Sequence, residues 1–514
     1  MFPGRFTVGC VCIAVFWFGC QSSEGSEQLA SNIAGELDAS VTPAADATAA
    51  TSEPTFLFDA GATQVDSEGS VVDSNAPTTY QRNIRPLLEA NCVECHSQGG
   101  IAPAALDDFA TVSSLGALIV QDVMSGEMPP WPASDACRPI ADSRALSAAD
   151  KALFEKWQAD GFLEGDPTDY VPPARRARPD LGAPTLTLKG DEPFTPGRSV
   201  DTFRCFFLGT VDSDTYLTGL DIVPLERAEV HHAQLHRVKA SDVAAVKNAD
   251  KNAAGGGYGC NSAGVGSFVS SQNLFSYRPG ALAVSFQSGD AAYIEAGSGL
   301  VLQIHYNTQF LPQGESPKPD QTRVNLWTMP EGSTPERVIY RTGLLSPLGA
   351  SSKGDRFLTL TSVIPAFATD VVGETDLPMR NVAVLGSGLN LGAVNGKFVP
   401  GEIMGITPHA HTWATRLAAS LTPQGRAAQC LLEVPHWDYD WQLDYLFVDG
   451  VPYGPDDQLH VECNFDNSPE NQPVIDGVKQ PSDTISFGQN TLNEMCEHYL
   501  WLRLRYEDFA AARR

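Results

Sequence analysis

The sequence predicts a multidomain protein, with a small all-α unit near the N-terminus and two all-β units after it. Three observations carry that expectation. The chain has 514 residues, room for about three domains at roughly one per 150 residues. Helical spacing surrounds a C-x-x-C-H pentapeptide before residue 166, and alternating stretches follow. The 45 Gly and 36 Pro mark a turn-rich chain that favours strands over long helices. With 34 Lys+Arg against 62 Asp+Glu, the formal charge of −28 argues against binding a phosphate backbone, so no nucleic-acid partner is expected. No window after residue 20 is long and apolar enough for a membrane-spanning helix.

The first element is an export signal over residues 1–19. Arg5 precedes a short apolar run, Val8 to Phe18, which ends in Gly19-Cys20 and is too short to span a bilayer. Gly-Cys at this boundary resembles a bacterial lipobox, which implies lipidation at Cys20 and a membrane contact through the lipid anchor only. Trp17 and Phe18 depart from the usual lipobox residues, and ordinary signal-peptidase cleavage a few residues on is the alternative. Both readings place the protein outside the cytoplasm, in the periplasm or anchored to the outer membrane, where disulfides are permissible. Residues 20–78 read as a disordered acidic linker. From Gln21 to Tyr80 there are ten Asp+Glu and no Lys or Arg, too little apolar surface to offset ordering entropy.

Residues 79–170 form the predicted α unit. Cys92-Val93-Glu94-Cys95-His96 is the haem-attachment pattern: two thiols add to the haem vinyls and His96 becomes the proximal iron ligand. Half of a zinc site is the competing reading of the pentapeptide. The spacing of Ile84, Leu87 and Leu88 predicts a helix leading into the motif. Met128, in Met-Pro-Pro-Trp some thirty residues on, suits the sixth, thioether position; Met124 is the rival, on a helical stretch. Ser147 is placed to cap a helix through Phe154 and Trp157. Residues 79–166 resemble the small monohaem cytochromes c. Residues 171–182, rich in Pro and Arg, read as a linker.

Nine of the ten histidines lie after residue 230. Tyr216 to Val230 reads as a strand with His231 and His232 at its end. Adjacent strand residues project to opposite faces, so this pair reaches one metal only at a strand end or bend. His305 lies in a strong strand, Gly299 to Tyr306. His409 and His411, two apart, project from one face and can chelate one ion. Imidazoles suit Zn, Cu, Fe or Ni, so these histidines leave the metal open. His236 is a rival ligand, while His436, His460 and His498 read as structural. Trp437, Tyr439 and Trp441 alternate with polar residues and predict a half-buried strand.

Four motifs, Val-His-His (230–232), Leu-Gln-Ile-His-Tyr (302–306), His-Ala-His (409–411) and Glu-Met-Cys (494–496), occur in an order that resembles the copper type II, ascorbate-dependent monooxygenases. That is the family of the peptidylglycine α-hydroxylating and dopamine β-monooxygenases, and the resemblance covers about residues 180–510. It implies that His231, His232 and His305 bind an electron-storing copper, and that His409, His411 and Met495 bind the catalytic copper where oxygen is reduced. It also implies a Cys463–Cys496 disulfide, and two β-sandwich-like domains facing across a solvent-filled cleft. The full expectation is a small all-α cytochrome c domain followed by two all-β, jelly-roll-like copper-binding domains, at 183–340 and 341–510. The pairing of Cys137, Cys205, Cys260 and Cys430 stays open.

Where peptide-amidating members carry an Arg two residues before the His-x-His pair and an Asn after Met-Cys, this chain has Thr407 and Glu497. Tyr499 matches the family's nearby Tyr. Losing a cation and gaining a carboxylate disfavours an anionic peptide substrate; Glu497 reads as a surface residue or an attractor of amines. The expected protein is an exported monooxygenase with two coppers and one covalent haem c. It would hydroxylate a C–H bond of a small organic substrate with O₂, drawing electrons from ascorbate or another donor through the cytochrome unit. The alternative is a non-catalytic redox or copper-binding surface lipoprotein.

Overall fold

The computed structural model describes residues 76–514, apart from 103, 174–178, 199–201, 261–263, 267, 270, 309–310, 312–313, 343–362, 383–397, 440, 476–477, 487, 489–491 and 514. The export signal, Cys20 and nearly all of the acidic linker lie outside the described residues, as does the Arg-rich centre of the 171–182 linker.

The helical segment opens with a wide turn at Tyr80–Ile84 that continues as a helix over Arg85–Asn91; further helices span Phe109–Ser114, Gly116–Ser125 and Ala148–Ala159. Local chemistry sets the ends. Asp108 accepts from the Thr111 amide, and Ser147 with Asp150 forms a reciprocal capping box on the last helix. Ile84, Leu88, Val112, Val120, Phe154 and Trp157 meet in a small core.

Two sandwiches follow. A five-stranded sheet has the order Tyr258–Gly259, Thr202–Thr210, Gly299–Tyr306, Val230–Val238, Ser271–Tyr277. Its central strand, Gly299–Tyr306, is buried along its whole length, as a near-continuous apolar run covered on both faces requires. A four-stranded sheet has the order Val371–Pro378, Gln458–Phe465, Ala414–Thr422, Gln429–Val434. Both pack on one nine-stranded sheet. The first core holds Leu217, Leu220, Leu302 and Ile304, and the second holds Ile403, Leu417, Val461 and Leu500. Each core draws residues from two sheets, the arrangement of a sandwich.

The nine-stranded sheet is continuous across the two sandwiches. Arg337–Arg341, where the domain boundary near residue 340 was expected, pairs in parallel with Asp290–Ile294 and antiparallel with Cys496–Arg505. The strands from either side of the expected boundary therefore share one hydrogen-bonded ladder. Beyond Cys496–Arg505, Gly401–Ala410 is next, with a register shift between Ile403 and Gly405. A side chain at Gly405 would meet the Tyr445 carbonyl at 2.5 Å, so only glycine fits there.

This architecture corrects the expected fold class. The described chain is mostly β-sheet with few helices, and no large all-α cytochrome domain is evident. The helical segment has only nine buried apolar side chains of its own, and its last loop is fastened to the β body. Cys137 is disulfide-bonded to Cys430, Ile140 bridges Phe447, and the Ser134 amide donates to the Glu433 carbonyl at 2.8 Å. Helical spacing and a short motif report local structure, and neither reports whether a segment has a core large enough to stand apart.

Candidate metal centres

His231, His232 and His305 converge. The preceding strand ends at Val223, and the two adjacent histidines open the next one, Val230–Val238, rather than closing a Tyr216-to-Val230 strand. The pairing with Gly299–Tyr306 shifts between Val230 and His232, and His232 lies opposite His305. This irregularity at His231 lets two neighbours turn to one side, as a bulge does. Nδ1 of His305 is 3.2 Å from Nδ1 of His231 and 3.4 Å from Nδ1 of His232. Three nitrogens about 2.0–2.1 Å from one tetrahedral ion stand about 3.3 Å apart, so the trio fits a single metal. Phe203, directly opposite in the neighbouring strand, stacks on His305 at 4.3 Å between ring centroids and fixes its plane. Burial, then the charge of Arg278, holds the His232 imidazole well below its usual pKa, in the neutral form that ligates.

His409 lies in Gly401–Ala410, and His411 is one residue beyond that strand's end. Their rings are 5.2 Å apart. Each has its Nδ1 already engaged, His409 with Oε1 of Gln442 and His411 with the Asn493 carbonyl at 2.9 Å. Both Nε2 atoms are thereby oriented by a second contact, as in metal-binding histidines. Burial pushes His409 down to about 3. Cys496 pairs with Ala410 and Glu497 with His409, so Met495 immediately precedes the strand that runs beside the one ending at Ala410. Glu494 locks the arrangement. One carboxylate oxygen accepts from the backbone amides of both His411 and Met495, and the other accepts from Trp413 at 3.0 Å. Burial pushes Glu494 up to about 8 against the pull of these bonds.

The sequence reading missed the support around this second cluster. Trp437, Tyr439 and Trp441 lie in a loop between strands instead of forming one. Nε1 of Trp437 donates to the His411 carbonyl at 3.0 Å, and the Tyr439 ring is 5.8 Å from His411. Glu497 is buried rather than on the surface; burial pushes it up to about 8, and Tyr499 donates to it at 3.0 Å. Arg341, on another strand and buried, lies over the Tyr499 ring at 4.8 Å and pairs with Asp444 at 3.6 Å. No sequence spacing links residues 341 and 499.

The remaining histidines separate cleanly. His236 contacts Ser271 at 3.1 Å and Gln234 at 2.9 Å, which occupies both of its ring nitrogens. His460 pairs with Asp376, and His436 is exposed. His498 is fully buried beside the Cys463–Cys496 disulfide. The third disulfide joins Cys205 to Cys260.

At the C-x-x-C-H motif, Cys92 and Cys95 are free, and burial pushes the Cys92 thiol up to about 12. His96 Nδ1 is 2.9 Å from the Ala104 carbonyl, leaving Nε2 as the ring's other donor atom. A Cβ at Gly100 would meet the Cys95 carbonyl at 2.2 Å, so the loop closes tightly behind the motif. A cavity of about 670 Å³ opens beside Cys95, with Tyr80, Arg85, Arg144, Arg227 and Leu282 in its wall. The same wall holds Glu89, Glu94 and Asp107, two of them paired with Arg85 and Arg227, and it does not include Cys92, His96 or Met128. The Met128 amide donates to the Asp122 carbonyl at 3.0 Å, and Met124 is 40% exposed.

No family model matches the chain, and no curated protein matches it. Among solved structures it is similar to a Paenibacillus xanthan lyase at 10% identity and a TM-score of 0.13, with 66% of this chain and 28% of that one covered. The chain spans under a third of that enzyme's length, and a likeness this slight carries no argument.

Proposed function

We propose that the protein is an exported haem- and copper-containing monooxygenase that hydroxylates a C–H bond of a small organic substrate with O₂. The observation that carries this reading is the pair of histidine clusters, one of three converging imidazoles and one of two imidazoles whose Nδ1 atoms are both engaged. His231, His232 and His305 would hold one copper; His409, His411 and Met495 would hold the other. A mixed imidazole and thioether set favours Cu(I), and the absence of a thiolate from it argues against a blue-copper centre. Copper supplies one-electron chemistry with O₂, and haem a one-electron relay. The chain's own residues do the rest. Gln442 and the Asn493 carbonyl orient the two imidazoles, and Glu494 fixes the backbone on which His411 and Met495 ride.

The position of the C-x-x-C-H motif supports a relay into the first cluster. Arg227, four residues before His231, pairs with Glu94 inside the motif at 2.8 Å. Tyr277, buried, pairs with Ala233, the residue next to His232. We place the mature protein in the periplasm or on the outer membrane, anchored through Cys20.

Metal analysis of the purified chain with a pyridine haemochrome spectrum, followed by O₂ uptake with candidate substrates, tests the proposal. Two coppers, one covalent haem and copper-dependent, substrate-stimulated uptake are expected. Metals present with no stimulation by any substrate would instead favour a redox or copper-binding lipoprotein.

A further inference from the structure

The two histidine clusters are linked by adjacent residues of one loop. The Trp441 ring lies 6.4 Å from the His231 ring, centroid to centroid, at an interplanar angle of 61°. The next residue, Gln442, contacts Nδ1 of His409 through Oε1. The loop is braced at three points. Gln442 Nε2 donates to the Tyr439 carbonyl at 2.9 Å, the Trp441 amide donates to the Asp438 carbonyl at 3.1 Å, and Trp437 is bonded to the His411 carbonyl.

We infer that Trp441 and Gln442 form a through-protein bridge that carries electrons between the two clusters, so that the sites communicate through an indole and an amide rather than across open solvent. This rests on the proposal that both clusters hold copper. With copper in both clusters, one electron would pass from the His231/His232/His305 site to the His409/His411/Met495 site; no bond would form or break, and in the test below the dye supplies the electron. An indole ring supplies a polarisable π-system in van der Waals range of His231, and the single peptide link to Gln442 replaces a through-space gap with covalent bonds. Trp441 is a positioning residue and touches no reacting atom.

The test uses the full, copper-loaded chain. The oxidised protein receives one electron equivalent anaerobically from a photoexcited dye, and rapid-freeze EPR follows how the Cu(II) signal redistributes between the two sites. Trp441→Leu should redistribute at least an order of magnitude more slowly, with copper content and resting EPR spectra unchanged, and Trp441→Phe should recover most of the rate. A native rate in Trp441→Leu with both coppers bound overturns the inference. If Leu does not retain both metals, Trp441→Met, which keeps side-chain bulk without a ring, decides by the same rate: slow supports the bridge, native overturns it. Absence of copper from the unaltered chain would overturn the functional proposal itself, and copper analysis keeps that failure distinct.

Discussion

His498 is wholly buried, and neither ring nitrogen has a hydrogen-bond partner. Burial pushes its pKa down to about 3, against about 6.5 for an unfolded histidine. The folded form therefore stays neutral while the unfolded chain gains a proton as pH falls below 6.5. Stability contributed above that pH is lost towards pH 3, by about 1.4 kcal/mol per unit at most. His498→Leu should flatten the acid side of the stability profile, with little change in slope above pH 7. Urea unfolding at pH 5 and pH 8 measures this, and an unchanged difference between the two would refute it. Ring partners separate His305 from His236: the Nδ1 of His305 faces those of His231 and His232, whereas His236 has Ser271 and Gln234 on its two nitrogens. His305→Ala should lower copper to about one per chain, whereas His236→Ala should leave the metal content alone; atomic absorption on both variants decides. At the haem motif, Met128→Ala should keep the covalent haem but lose the low-spin His/Met spectrum. An unaltered reduced spectrum would shift the sixth ligand to Met124 or elsewhere.

Among the elements, what could be read from the sequence was what neighbours in the chain decide. Gly299–Tyr306 was legible as a strand because its apolar run is broken only by Gln303 and His305, and Ser147 because its partner Asp150 sits three residues away. Adjacent His231 and His232 posed a geometric problem that spacing alone could state but not solve; the register shift in the Val230–Val238 strand solves it. The alternation Trp437, Tyr439, Trp441 imitated a strand, yet this stretch makes its bonds to His411 and within itself instead of to a ladder. Glu494 was visible as part of a motif and silent as to role, because its backbone partners include His411 and Trp413, 83 and 81 residues upstream. Its bonds to both His411 and Met495 make Glu494→Ala a test of the second cluster. Losing such an outer contact typically costs about 10–100-fold in metal affinity. Competitive Cu(I) titration should show that loss at the His409/His411/Met495 site with the three-histidine site unaffected.

For the whole molecule, the Cys137–Cys430 disulfide is the long-range fastening, joining residues 293 apart. A crosslink over a loop this long stabilises by about 2–4 kcal/mol in typical cases. Replacing both cysteines by serine should lower the unfolding midpoint and expose residues 128–146 to protease, while haem attachment at Cys92 and Cys95 persists. Limited proteolysis and the haem absorbance follow the two effects separately. The continuous nine-stranded sheet has a mechanical corollary. A ladder of backbone hydrogen bonds running through Arg337–Arg341 resists bending between the sandwiches as a beam does, and among the described residues it leaves no hinge about which they could clamp shut on a guest molecule. Adaptation to a guest then falls to side chains and to loop residues such as Trp437 and Tyr439, so scattering profiles with and without a bound guest should superimpose.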